Sequence, residues 1–312
     1  MNLREDLPIQ SNVPLCRYST FQIGGPARYF IQPTDREQLL AALDFQKLEG
    51  IPYVVVGRGS NVLFPDEGYP GLVISLQKFE SSHVYCDSDG IMKASAGVSL
   101  FRLSALCQEK GASGLEFTCH IPGSVGGAVQ MNAGFGRPGR PYLEIKNVLE
   151  SISVLTPERK LSRMASDQIH FGYRTSDLQD YLILDATFRI EPSTPAKVRE
   201  EVRANFAYRN SVQDLRYPSA GSVFKNPKSQ SRFSSGQLIE KAGLKGARVG
   251  GAMISEKHGN FFLNVGGAKA ADVLTLIEIA KGRVHEQFGI DLEPEVKIIT
   301  PNPQVLEAGL LT

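Results

Sequence analysis

The sequence predicts a mixed fold of the α+β class, and three observations carry that reading. A helical pattern feeds a valine-rich strand near the N-terminus; two long strand-like runs follow a glycine-rich middle; and a turn-rich break precedes a last third with helices and strands of its own.

The elements follow in chain order. DREQLLAALDFQKLEG starts at Asp35, carries Leu39, Leu40, Leu43 and Leu48 on roughly one face, and ends at Gly50 ahead of Pro52. It leads into a strand at 53–56, and a second short strand at 72–76 makes the first unit βαβ-like. Ser99 is placed to cap a helix carrying Leu103, Leu106 and Cys107, which stops at Gly111. Residues 116–139 are glycine-rich, and strand-like runs follow at 148–155 and 181–190. EPSTPAK, at 191–197, is the candidate domain boundary. Beyond it Val198, Val202 and Phe206 recur every four residues, as on a helix with one buried face. Val273, Leu276, Ile277, Ala280, Val284 and Phe288 mark a longer helix, followed by a strand-like stretch at 295–299.

Composition narrows the functional classes. The 34 Lys and Arg balance 33 Asp and Glu, so a net charge of +1 gives no electrostatic reason to expect nucleic acid or a membrane surface. Any anionic ligand must be held by local groups. The start, MNLREDLPIQ, has no apolar core of a signal peptide, and no run of about eighteen apolar residues occurs, so a soluble cytoplasmic protein is expected. Cys16, Cys86, Cys107 and Cys119 form no CxxC pair, and buried thiols are expected of them. His83, His120, His170, His258 and His285 fit no zinc spacing, so no metal is expected.

VVVGRGSNVLF, at 54–64, puts a strand against two closely spaced glycines, Gly57 and Gly59. A Rossmann fingerprint needs Gly or Ala where Val62 stands, then an unbroken helix that Pro65 and Gly68 forbid. A P-loop fails as well, because no Gly-Lys pair occurs. Taken alone, the stretch reads as an ordinary tight turn. HIPGSVGGAVQMNAGFG, at 120–136, alters the balance: successive backbone N–H groups in such a loop can face an anion, and two loops can grip a diphosphate from both sides. The competing reading is a packed crossover in which glycine only relieves crowding.

Seven segments together carry a resemblance: YSTFQIGGPARYF, VVGRGSNVLF, IPGSVGGAVQMNAG, FGYRTS, PSAGSVFKNP, SGQLIEKAGLKGARVGGAMISEKHGNFFLN and LEPEVKII. Their order is similar to that in the UDP-N-acetylenolpyruvoylglucosamine reductases, also called UDP-N-acetylmuramate dehydrogenases, of peptidoglycan synthesis. The likeness runs from about Thr20 to Ile299. It implies an FAD-binding domain of the vanillyl-alcohol oxidase type, in two lobes (about 1–77 and 78–195), a UDP-sugar-binding α/β domain at 196–300, and a tail at 301–312. The short spacing between FGYRTS and PSAGSVFKNP resembles the shorter, second type of the family.

The resemblance implies NADPH as co-substrate, non-covalent FAD and UDP-N-acetylglucosamine enolpyruvate as acceptor, with hydride passing from flavin N5 to the enolpyruvyl methylene. Both substrates would use one flavin face in turn, in a ping-pong pattern. It further implies Arg174, Ser222 and Glu295 as catalytic residues: Ser222 the proton donor, Arg174 and Glu295 stabilising the enolate. Cofactor contacts would come from Val56, Gly57, Arg58, Gly59, Ser60 and Asn61, and from Ile121, Pro122, Gly123, Ser124, Gly126, Gly127 and Ala128. Tyr173, Arg209, Lys225, Asn226 and Gln237 would hold the UDP-sugar. The residue chemistry suits these roles: a guanidinium stays charged and forks onto a carboxylate, and a hydroxyl can quench a strongly basic carbanion. Each has an ordinary structural alternative, a surface ion pair for Arg174, a turn or cap for Ser222 and a strand-edge carboxylate for Glu295. A monomer is expected. Departures from the family pattern are His120, the 135–139 segment and Asp214. The rival functions are an FAD-dependent alcohol or sugar oxidase of the same cofactor fold and a non-catalytic nucleotide-sugar binding protein.

Overall fold

The computed structural model describes residues 7–82, 84–86 and 90–300; the opening residues 1–6, His83 and the 301–312 tail lie outside the described residues. In the first lobe, Asp35 accepts a hydrogen bond from Gln38 N at 2.9 Å, and Gly50, at φ 61°, ends the helix Arg36–Glu49. Leu39, Leu43 and Phe45 are buried, but Leu48 is 72% exposed, correcting the expected apolar face. At about 100° per residue Leu48 falls opposite Leu39. The strands Gln10–Pro14, Pro26–Ile31, Tyr69–Ser75 and Tyr53–Val56 lie side by side in that order. The last three are parallel, with Val55 opposite Ile74, so the βαβ-like unit is present.

The second lobe is an antiparallel sheet in the order Leu161–Ala165, Leu149–Leu155, Leu182–Arg189, Ile91–Ser95, Val84–Cys86. Ser99 Oγ caps the helix Leu100–Lys110, accepting from Arg102 N at 3.2 Å, and Gly111 closes it at φ 65°. Apolar residues of both lobes merge into one core, which holds Leu39 and Ile74 together with Leu103, Val125, Ile152 and Phe188.

The turn-rich break leads into the helix Pro195–Val212, capped by Thr194. Its Val198 joins the core of the two lobes, so this helix packs backward onto the first part of the chain. Its buried residues are Val198, Val202, Asn205 and Arg209, whereas Phe206 is 46% exposed and lies against the His120 ring at 4.3 Å. A strict repeat of four drifts by about 40° per step around a 3.6-residue turn, which carries Phe206 off the buried stripe.

The remaining unit packs the helices Ser235–Lys241 and Ala270–Phe288 on the antiparallel strands Arg248–Val249, Ala252–Ile254 and Phe262–Asn264. It is joined to the first lobe in three ways. Phe21, Ile23 and Leu63 enter its core. The strand Lys297–Ile298 pairs in parallel with Val62–Leu63. The helix Ala270–Phe288 has no side-chain cap from its own N-cap, Lys269; instead the Asp66 carboxylate accepts from Ala270 N at 2.7 Å and Ala271 N at 3.1 Å. A carboxylate there satisfies orphan donors and faces the positive end of the helix dipole. Asp66→Ala should therefore cost about 1 kcal/mol in equilibrium denaturation, and an unchanged midpoint would remove the cap from the docking of this unit.

Candidate active site

The strand Tyr53–Val56 delivers the chain into the 57–61 turn. At Gly59, φ is 62° and an added Cβ would lie 2.0 Å from the Tyr18 carbonyl oxygen, so only glycine fits. Val62 begins a strand rather than a helix, as its side chain prefers. In the second loop Ser124 caps the short helix Val125–Gln130 through Gly127 N at 3.3 Å. The two loops touch: a Cβ on Gly57 would lie 2.1 Å from Ser124 Oγ, and one on Gly123 would lie 3.4 Å from Ser60 Oγ. Among the described residues, the N–H groups of Arg58, Gly59 and Ser60 donate to no backbone carbonyl. Free donors on the 57–61 turn, which touches the second loop, fit a diphosphate.

These loops form one wall of a cavity of about 410 Å³. Gly57, Arg58, Gly59, Ser60, Asn61, Ile121, Pro122, Gly123, Ser124, Gly127 and Ala128 line it. Val56 and Gly126 stand behind it, Val56 in the first-lobe core and Gly126 packed on Ala96, so they support the wall without facing the cavity.

Arg174, Ser222 and Glu295 line the same cavity, with Glu295 bonded to Asn61 at the end of the first loop. Arg174 is in the two-residue turn between Phe171–Gly172 and Thr175–Ser176, at φ 55°, a sparsely populated region for a side chain of this size. Three ties hold the turn there. Asn132 Nδ2 donates to Gly172 O at 3.0 Å, Ser176 Oγ to Gln130 O at 2.8 Å, and Arg174 Nη2 to Gly134 O at 3.2 Å. Arg174 Nε donates to Glu295 Oε1 at 3.0 Å, while its Nη1 is buried with no partner. A buried guanidinium nitrogen left unpaired is costly and fits an anionic ligand atom.

Burial pushes the Glu295 carboxyl up, and the Arg174 charge pulls it back toward the ordinary range. Burial works against the charge on Arg174, but Glu295 and the Tyr142 and Tyr173 phenol groups outweigh it and raise its pKa, so the guanidinium stays protonated. Two hydrogen bonds position Glu295: its N–H donates to Val223 O at 2.7 Å, and Asn61 Nδ2 donates to Glu295 O at 3.1 Å. The serine loop therefore runs beside the glutamate segment. Asn260, buried at 3% exposure, fixes the same loop by accepting from Phe224 N and donating to Phe224 O.

Of the other sequence-predicted residues, Arg209 and Asn226 line the cavity. Arg209 is 8% exposed, donates Nε–H to Gln213 Oε1, and has no carboxylate partner among the described residues. Burial lowers its pKa to about 10, so the charge persists at neutral pH. Tyr173, Lys225 and Gln237 lie off the cavity wall. Lys225 Nζ is engaged by Glu293 at 2.6 Å, and Gln237 forms a capping box with Ser234. A separate cavity of about 520 Å³ along the helix Pro195–Val212 contains none of the predicted residues; its Arg137 and Arg140 both clasp Glu201.

Sequence reasoning missed Tyr142 on the cavity wall and the positioning asparagines Asn132 and Asn260. Asn132 had a visible signal, a polar residue inside the glycine-rich MNAG run. Phe135, one of the departures, carries the Arg209 guanidinium over its ring at 6.0 Å. Asp214, another departure, is buried and pairs with Arg216 at 2.9 Å. His120 faces Phe206 rather than the cavity, and its Nε2 is buried without a partner.

Burial and the Arg209 charge lower the His120 pKa to about 4. Its neutral form favours the fold. That contribution is whole above the ordinary value of about 6.5, shrinks as the unfolded chain takes up a proton, and is lost as pH falls through about 4. His120→Phe, which keeps the stacked ring, should gain Tm relative to wild type as pH falls from 7 to 4. Parallel Tm profiles would show that His120 does not titrate in this way.

Fold and cavity together define a flavoprotein: residues 27–164 match the FAD binding domain family, whose cofactor the glycine loops fit. The arginine, glutamate and serine wall sits where the C-terminal unit closes on that domain. Residues 213–299 match the family described as UDP-N-acetylenolpyruvoylglucosamine reductase, C-terminal domain. The chain is 42% identical over 290 residues to the UDP-N-acetylenolpyruvoylglucosamine reductase of Syntrophus aciditrophicus, covering 92% of this chain and 90% of that protein. It is 39% identical over 302 residues to that of Bacillus velezensis, covering 96% of each. A crystal structure of UDP-N-acetylenolpyruvylglucosamine reductase from Thermus caldophilus superposes with a TM-score of 0.75 at 33% identity, over 94% of this chain and 100% of that one. The chain belongs to the UDP-N-acetylenolpyruvoylglucosamine reductase family, FAD-dependent oxidoreductases of peptidoglycan precursor synthesis. The expected fold class, α+β with an FAD-binding domain of the vanillyl-alcohol oxidase type and a C-terminal α/β unit, holds. Among the described residues no helix is long and apolar enough to cross a membrane.

Proposed function

We propose that the protein reduces UDP-N-acetylglucosamine enolpyruvate to UDP-N-acetylmuramate at the expense of NADPH. The reading is supported most by one observation: Arg174, Ser222 and Glu295 line the same cavity as the two glycine loops. Bound FAD, held by the backbone amides of those loops, supplies the hydride chemistry. The chain's residues then handle charge and proton. Negative charge developing on the carboxylate-bearing carbon of the acceptor is met by Arg174, whose unpartnered Nη1 is the available donor. Glu295 orients Arg174 through the 3.0 Å bond and helps polarise the enolpyruvyl group. Ser222 gives its hydroxyl proton to that carbon. Arg209 and Asn226 hold the nucleotide sugar. The division into a two-lobed domain and a UDP-sugar domain belongs to this proposal, with the backward-packed helix Pro195–Val212 moving the boundary from 195 toward 213. Action as a monomer in the cytoplasm completes it.

The test is anaerobic. NADPH should bleach the bound flavin, and the enolpyruvyl nucleotide should restore its colour. Absence of either step overturns the proposal, and rapid reoxidation by oxygen alone would favour an oxidase instead.

A further inference from the structure

The segment that leaves the serine loop passes along the cavity rim, where Asn226 faces inward. It carries two lysines in different settings. Lys225 is neutralised by Glu293 at 2.6 Å. Lys228 has no carboxylate partner among the described residues; its Nζ lies 4.0 Å from the centroid of the Tyr173 ring and 5.7 Å from that of Tyr142. Tyr142 is part of the cavity wall, and Tyr173 directly precedes Arg174. The ammonium is not itself part of the lining, but it lies beside Tyr142, which is, carried by the cofactor domain's aromatic rings although it belongs to the C-terminal unit.

Two ring faces attract a cation through their quadrupoles without neutralising it. A phosphate oxygen does neutralise it, through a charge-assisted hydrogen bond. Lysine suits such an exchange, being a point charge on a flexible stem. The cation excess has the same sense along the cavity: Arg209 is buried without a carboxylate, and Arg174 has only Glu295. The flavin's own diphosphate is assigned to the glycine loops, so it makes no demand on the rim.

Building on the nucleotide-sugar function proposed above, we infer that Lys228 is the specificity-determining cation for the diphosphate of the incoming nucleotide, transferring from the two tyrosine faces to phosphate oxygens. Lys225 is a structural lysine of the rim. The resemblance implies Lys225 for the UDP-sugar; its ion pair with Glu293 favours Lys228 for the diphosphate instead.

The flavin-loaded protein is titrated with UDP and with uridine, and binding is read by flavin absorbance and calorimetry. Wild type should prefer UDP, and Lys228→Gln should cut that preference about tenfold while leaving uridine binding unchanged. Lys228→Arg should restore most of it, and Lys225→Gln should keep it. The salt dependence of UDP affinity should also flatten in Lys228→Gln. A wild-type preference in Lys228→Gln, or its loss in Lys225→Gln instead, overturns the assignment of Lys228 alone. A wild-type protein that binds UDP no better than uridine overturns the nucleotide-sugar function as well, so the two failures are distinguishable.

Discussion

Ser222→Ala should leave flavin reduction by NADPH nearly untouched while slowing flavin reoxidation by the enolpyruvyl nucleotide about 10³-fold. The asymmetry follows from what each half-reaction asks of the chain. Reduction by NADPH needs no proton from this side chain, whereas addition of hydride to the acceptor leaves a basic carbon that a positioned acid must quench, a role worth roughly 10² to 10⁴ in rate. The serine is well placed to be tested in this way. Its loop is held by Asn260 and by the Glu295 and Val296 backbone, not by its own hydroxyl, so the alanine variant should fold normally. Stopped-flow absorbance under nitrogen resolves the two steps. Equal slowing of both would mean that the serine positions the flavin rather than supplying a proton.

Arg174→Ala should have two effects of different origin. Loss of a fixed cation at the developing carboxylate charge should slow the second half-reaction by about 10² to 10³. Removing one partner of a buried pair also leaves Glu295 without its guanidinium, a change that typically costs about 3 kcal/mol of stability. Glu295 then takes up a proton more readily, because burial already pushes its carboxyl upward. Arg174→Lys separates the effects: it keeps a charge near Glu295 but loses the fork and the Gly134 tie, so stability should largely return while the rate does not. Recovery of both with lysine would reduce the arginine's role to plain charge.

What the sequence made legible depends on how local the determinant is. Asp35 with Gly50, and Ser99 with Gly111, bracket their helices because a cap is decided within a few residues. Faces were harder. Leu48 and Phe206 are apolar but turn outward, since apolar counting over a short helix tolerates an error of a quarter-turn or more. The glycine loops were legible as loops able to grip one diphosphate from two sides; the particular contact, Gly57 against Ser124, is a long-range approach that only the assembled sheets impose. The same holds for the arginine, glutamate and serine wall. FGYRTS and LEPEVKII mark Arg174 and Glu295, yet the 3.0 Å bond between them spans 121 positions. No pattern in either motif reports the αL turn at Arg174 or the asparagine that holds it. At the rim, the resemblance points to Lys225; that Glu293, from a distant segment, engages this lysine while Lys228 rests on the rings is written in neither motif.

The parallel pairing of Lys297–Ile298 with Val62–Leu63 also sets an order of events during synthesis. Asn61 and Glu295 are separated by 234 positions, and the ribosome delivers them far apart in time. The glycine loops and Arg174 can emerge and settle first, with the Arg174 turn facing water. Completion of the arginine–glutamate wall then waits for the late arrival of the glutamate segment, which docks onto an edge made much earlier. A nascent chain halted before that segment carries most of the cofactor domain but an unfinished arginine–glutamate wall, so flavin affinity and turnover should mature at different moments in the life of the polypeptide.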